Sequence, residues 1–150
     1  MKRVLLLCLV LVLAPFAVAD VDGLIAKKSA HSVSETLDRL EAQLTKKGVT
    51  IVARWRHDAG AKRVGIPLRP TELLIFGNPE LGSHFFTSAQ TAGIDLPMKA
   101  LAWEDENGQI WLGYNDPQYI VDRHGIKNRA LIVSKMSAAL DTLSNVATKP

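Results

Sequence analysis

Apolar residues change their spacing along this chain, and each spacing predicts an element. Leu24-Ile25-Ala26 opens a short strand. Val33, Leu37, Leu40 and Leu44 then recur at helical spacing. Ser32-Val33-Ser34-Glu35 in front of them is a capping box. In it the Ser32 hydroxyl accepts from the Glu35 backbone N–H while the Glu35 side chain reaches back. Gly48 ends that helix. From Thr50 to His57 the pattern alternates. Alternation predicts a half-exposed strand with Ile51, Ala53, Trp55 and His57 on one face and Val52, Arg54 and Arg56 on the other. Leu73 to Phe76 is an unbroken apolar run, suited to a central strand. Asn78-Pro79-Glu80 starts a helix that runs to Gly93: Asn78 caps, Pro79 fits the first helical position and Glu80 complements the dipole. Lys99–Glu104 and Gln109–Tyr114 are strands around Asn107-Gly108, a strong hairpin signal. Asp116-Pro117 opens a short helix ending near Gly125, and a last helix buries Ile132, Met136, Leu140 and Leu143. Strands and helices mix without a βαβ repeat. The fold class is therefore α+β: one domain with a mainly antiparallel sheet and helices packed on one face.

The first residues follow a different logic. Lys2 and Arg3 precede an apolar run from Val4 to Leu13, and Ala17-Val18-Ala19 offers small residues where signal peptidase needs them. Residues 1–19 are read as a signal peptide cleaved after Ala19, and residues 20–150 as the mature domain. The expected location is periplasmic or secreted. The apolar run is too short for a span of roughly 20 residues, so no membrane span is expected after cleavage. Losing Lys2 and Arg3 reduces 18 basic residues to 16 against 15 acidic ones, a net charge of +1. Such a chain has no electrostatic case for nucleic acid as a partner. Cys8, the single cysteine, leaves with the signal, and thiol or disulfide chemistry leaves with it. At 47% hydrophobic residues the chain is also not disordered.

Candidate chemistry is dispersed. His57 ends a strand beside a loop, a common place for functional groups. His31 precedes the first cap and is expected to face solvent. His84 is placed in the first turns of the Asn78 helix, and His124 at a helix C-terminus, where its charged form is favoured. No two histidines have ligand spacing. A metal site would have to be assembled from distant residues such as His57, His84 and Met98, a thioether–imidazole set suited to copper. Asp95 sits between apolar neighbours just before a strand, and its simplest role is to accept backbone N–H bonds in its loop. Glu104-Asp105-Glu106 falls in the hairpin turn and is expected to be solvated. No Gly-x-Ser-x-Gly elbow, Walker motif or Gly-x-Gly-x-x-Gly occurs.

Several segments, taken in order, resemble domain-of-unknown-function family 302. They are Ser32-Val33-Ser34-Glu35-Thr36, His57-Asp58-Ala59, Pro70-Thr71 and Phe76-Gly77-Asn78-Pro79, followed by Asp95-Leu96-Pro97, Tyr114-Asn115-Asp116-Pro117 and Arg123-His124-Gly125. The resemblance implies a β-α-β(4)-α fold similar to the TATA-binding-protein-like architecture, with a homodimer as a plausible partner state. It implies no activity. Two functions then stand against each other. In the first, the chain is a non-catalytic binding module. His57, Asn78 and Asp95 would converge with Trp55, Phe76 and Trp103 as apolar wall, holding a small molecule, a haem-like group or a metal. In the second, a His57–Asp95 pair acts as general base in a hydrolase-like enzyme. A structural homodimer is the third reading.

Overall fold

Five strands and five helices follow one another in the order β1 (Leu24–Ser29), α1 (Val33–Lys46), β2 (Thr50–Arg56), α2 (His57–Arg63), β3 (Thr71–Gly77), α3 (Pro79–Phe86), β4 (Met98–Glu104), β5 (Ile110–Asn115), α4 (Pro117–Arg123) and α5 (Ala130–Thr148). A 3-10 turn, Gln90–Ile94, lies between α3 and β4. The computed structural model describes residues 21–150. The signal-peptide reading and Cys8 fall outside the described residues. The strands form one antiparallel sheet in the order β1-β5-β4-β3-β2, leaving β1 and β2 as edges. The helices α1 and α5 pack on one face of it and on each other. The α+β class predicted from the pattern is the fold observed.

The elements form for the reasons their sequence gives. Ser32 caps α1 by accepting from Glu35 N, and its apolar stripe buries Val33, Leu37, Leu40 and Leu44. Only half of the expected capping box forms. The Glu35 carboxylate turns instead to His31 Nδ1 at 3.1 Å, while His31 Nε2 meets Lys149 O at 2.7 Å. His31 therefore joins the two ends of the domain rather than facing solvent. Gly48 and Gly108 supply the left-handed backbone that ends α1 and turns the β4–β5 hairpin. The inward strand positions Leu74, Phe76, Ala100, Ala102, Leu112 and Tyr114 meet α1 and α5 across the core. Each large side chain so buried contributes about 1.5–3 kcal/mol. Lys27, inward on β1, reaches Asp141 at 2.6 Å and Asn145 at 2.9 Å on α5. The Lys27 bond holds the Asp141 carboxyl below its ordinary pKa.

Three local expectations change. The strand at Thr50 carries a bulge: Ile51 pairs with Phe76 but Ala53 pairs with Ile75, so Val52 is the extra residue. A bulge reverses the alternation that follows it. Ile51, Arg54 and Arg56 therefore point to the helix side, opposite Phe76, Leu74 and Glu72, while Ala53 and Trp55 point away. Secondly, His57–Arg63 is a helix that the pattern did not reveal. It is one short segment with an internal glycine and no buried residue, so it lacks an apolar stripe. Thirdly, the Asn78 helix stops at Phe86 and the chain turns before the 3-10 segment, which puts His84 in a last turn rather than a first one.

The face away from the helices is apolar as well. Trp103 stacks on Trp111 with centroids 6.4 Å apart, and the Lys28 ammonium lies 5.5 Å from the Trp111 ring centre. Gly113 leaves room for this: a Cβ there would lie 3.0 Å from the Trp103 ring.

Candidate functional site

The six residues expected to share a pocket occupy three places. His57 is the exposed first residue of α2, and Trp55 just before it is 54% exposed on the outer face. Trp103 lies in the outer tryptophan stack. Phe76 and Asn78 sit at the other end of the sheet, where Phe76 is buried and the Asn78 side chain caps α3 by accepting from Glu80 N at 2.8 Å. Asp95 precedes the start of β4, which pairs with Phe76. His57 follows Arg56, which pairs with Glu72. The four-residue step from Glu72 to Phe76 is about 13 Å of strand, so His57 and Asp95 occupy opposite ends of the sheet. The His57–Asp95 pair does not form. The set His57, His84 and Met98 is split likewise: His84 is exposed on α3 and Met98 is buried facing the helices. Among the described residues no three His, Cys, Asp or Glu side chains are grouped to hold a metal ion.

Phe76, Asn78 and Met98 do converge, on a cleft of about 300 Å³ that sequence reasoning located only in part. Its floor is Phe76, Leu96 and Met98; α3 contributes Leu81 and Phe86, and α5 contributes Met136 and Leu140. Val52, the extra residue of the bulge, belongs to the lining and is 57% exposed. Gly77 brings Pro97 close, since a Cβ there would sit 3.3 Å from the proline ring. Thr50, Asn78 and Ser83 are the polar residues of the lining, and Asn78 Oδ1 is already engaged in its cap. A nearly uniform apolar wall with a few hydroxyls at its edge suits a small apolar molecule. It offers no cationic or anionic partner.

Asp95 belongs to a separate cluster. It is 8% exposed and ends the 3-10 turn. Its Oδ1 accepts from Arg123 at 3.0 Å and its Oδ2 lies 2.7 Å from His124 Nε2. Lys99 Nζ donates to the Asp95 carbonyl at 2.9 Å. The other ring nitrogen of His124, Nδ1, lies 3.0 Å from the Thr91 hydroxyl. A carboxylate only accepts, so the neutral imidazole carries its proton on Nε2 and leaves Nδ1 as the acceptor for Thr91. Position along the chain revealed His124 only as the end of a helix. Its partner stands 29 residues earlier, and no local spacing announces that meeting.

The opposite end of β2 and β3 is closed by charge. Arg54 spans from Glu72 (2.8 Å) to Asp38 and the Ser34 carbonyl (3.0 Å) on α1. Arg56 lies 3.5 Å from Glu72 and bonds Asp58 at 2.7 Å. That bond holds the Asp58 carboxyl below its ordinary pKa. In the hairpin, Asp105 is engaged rather than merely solvated. It accepts from Trp111 Nε1 (2.8 Å), Asn107 N and Gln109 N, and the indole bond is the main cause of its lowered pKa.

With this geometry in place, comparison with known proteins gives three findings. The family model described as "Domain of unknown function DUF302" matches residues 25–143. The crystal structure of an uncharacterized conserved DUF302 protein from Bacillus stearothermophilus is similar in fold, with a TM-score of 0.76 at 18% identity over 85% of this chain and 99% of that one. Curated proteins from Brucella suis and Brucella abortus, each named fluoride-specific ion channel FluC 1, are 45% identical over 112 residues, 75% of this chain. The chain spans 44% and 42% of their respective lengths.

Proposed function

The chain belongs to the DUF302 family, and from that premise we propose that it is an exported binding module whose cleft takes a small apolar molecule and does no chemistry on it. The observation that carries this reading is the cleft itself: about 300 Å³ bounded by Phe76, Phe86, Leu96, Met98, Met136 and Leu140. This is the lower end of the volume range, about 300–1,000 Å³, in which small-molecule sites are found. The donor set argues against the other ligands considered. Two thioethers and no imidazole face the cleft, so a metal or a haem-like group would have a single soft ligand type. Met98 and Met136 instead serve as adaptable walls, which unbranched thioethers do well.

The fluoride-channel name of the Brucella relatives attaches, in this reading, to the parts of those longer proteins that the present chain does not span. Among the described residues no helix is long and apolar enough to cross a membrane. The sheet is open at β1 and β2, whereas membrane-spanning strands close into a barrel.

Titration with straight-chain alcohols from hexanol to dodecanol tests the ligand class. Affinity is expected to rise about two- to fourfold per methylene until the cleft is full, because each buried CH₂ is worth about 0.8 kcal/mol at most. No saturable binding along the series would overturn the reading. Export is tested separately: the protein recovered from the exported fraction should begin at Asp20, and an intact Met1 would remove that part.

A further inference from the structure

We propose that Thr91, His124 and Asp95 form a hydroxyl-activating relay, with Thr91 as a nucleophile toward small, unhindered esters. Its residues lie outside the lining of the apolar cleft, so it stands apart from the binding reading.

The geometry distinguishes this threonine from six others. Thr36, Thr45, Thr71, Thr87, Thr142 and Thr148 each donate to a nearby backbone carbonyl, an ordinary resting place for such a hydroxyl. Thr91 Oγ1 has His124 Nδ1 as its hydrogen-bond partner among the described residues, at 3.0 Å, on an exposed residue. The imidazole behind it is held on its far side. Its side chain is 8% exposed and its Nε2 is 2.7 Å from a carboxylate that is itself fixed by Arg123 at 3.0 Å. A hydroxyl on one ring nitrogen and a buried carboxylate on the other is the nucleophile, base and orienter arrangement of covalent catalysis.

The chemistry balances on these groups. Thr91 Oγ bonds to the ester carbonyl carbon as its proton passes to His124 Nδ1. The Nε2–H stays on the ring, and Asp95 offsets the imidazolium charge. The tetrahedral adduct breaks its bond to the alkoxy oxygen, which takes the proton from Nδ1 and leaves as alcohol. Water, deprotonated by the same nitrogen, then hydrolyses acyl-Thr91, so that ester and water become carboxylic acid and alcohol. Thr91 is exposed, so a small ester reaches its hydroxyl without a binding pocket. His124 and Thr91 touch the reacting atoms; Asp95 is a positioning residue.

The test uses the full chain and p-nitrophenyl acetate, reading p-nitrophenol release and the site of acetylation by peptide mass. Acetyl is expected on Thr91. Thr91→Val is expected to lower release about tenfold or more in a protein that still folds, with a melting temperature lower by a few degrees because His124 Nδ1 loses its partner, and Thr91→Ser should retain both release and stability. Positioning by Asp95 predicts that Asp95→Asn displaces the pH profile of release, whereas the threonine substitutions change only its height. Equal release by wild type and Thr91→Val overturns the proposal. So does acetyl found only on lysines, or a pH profile unmoved in a folded Asp95→Asn protein.

Discussion

The two ends of the β2–β3 pair are built from the same strands and behave as opposites. At the end where Ile51 faces Phe76 and β4 begins at Met98, every inward residue is apolar, and the space between α3 and α5 is left open as the cleft. A few residues further along, the inward positions are Arg54, Arg56 and Glu72, and the space is closed by ion pairs to α1. One inserted residue, Val52, separates the two regimes. Without the bulge the alternation would carry Trp55 inward and Arg54 outward. The comparison teaches that the open cleft depends on where the polar lattice stops.

This contrast can be broken at several points. Deleting Val52 should have the largest effect. It forces either Ile51 off the core side or both arginines off Glu72, and a loss of about 3 kcal/mol or more in urea unfolding is expected. Unchanged stability would mean the bulge is not what sets the two ends apart. Glu72→Ala comes next. Removing one partner of a fully buried pair costs about 3–5 kcal/mol; Arg54 retains Asp38 here, so about 2–3 kcal/mol is expected, with alcohol binding in the cleft unchanged. Ala139→Trp addresses the open end. Ala139 is an exposed lining residue on α5, so an indole there should block the cleft and weaken alcohol binding tenfold or more. Stability should move by no more than about 0.5 kcal/mol. The smallest effect belongs to Asp58. Its carboxyl pKa is lowered by Arg56, so its stabilisation is present above the unfolded value of about 3.9 and is lost as pH falls through the folded value. Asp58→Asn should therefore unfold slightly earlier than wild type at pH 7, with the difference shrinking as pH falls below about 4 and vanishing only below the lowered folded value, in parallel thermal melts.

Much of the fold was legible along the chain because its signals are local. The Ser32, Asn78 and Asp116 caps, the Asn107-Gly108 turn and the stripes of α1 and α5 each act within a few residues, and each element formed where they pointed. The bulge was not legible, since alternation through Val52 looks regular until a partner strand imposes its register. Helix α2 was not legible either, because it buries nothing. The candidate site followed the same division. Phe76 and Asn78 were recognisable as a strand end and a cap, whereas Met98 stood just before its predicted strand and was grouped with His57 and His84 instead. Asp95 was recognisable as an acid among apolar neighbours. That its histidine is residue 124 and not residue 57 depended on where α4 ends relative to the 3-10 turn.

By itself, then, the order of residues determined the α+β class, the caps and turns, the apolar faces and the family. These rest on backbone propensity and on burial of stripes, which neighbours along the chain define. Tertiary structure alone decided which polar groups meet, which end of the sheet is open and which hydroxyl faces an imidazole. Those outcomes depend on contacts across the sheet and between helices, where a shift of one residue exchanges inside for outside.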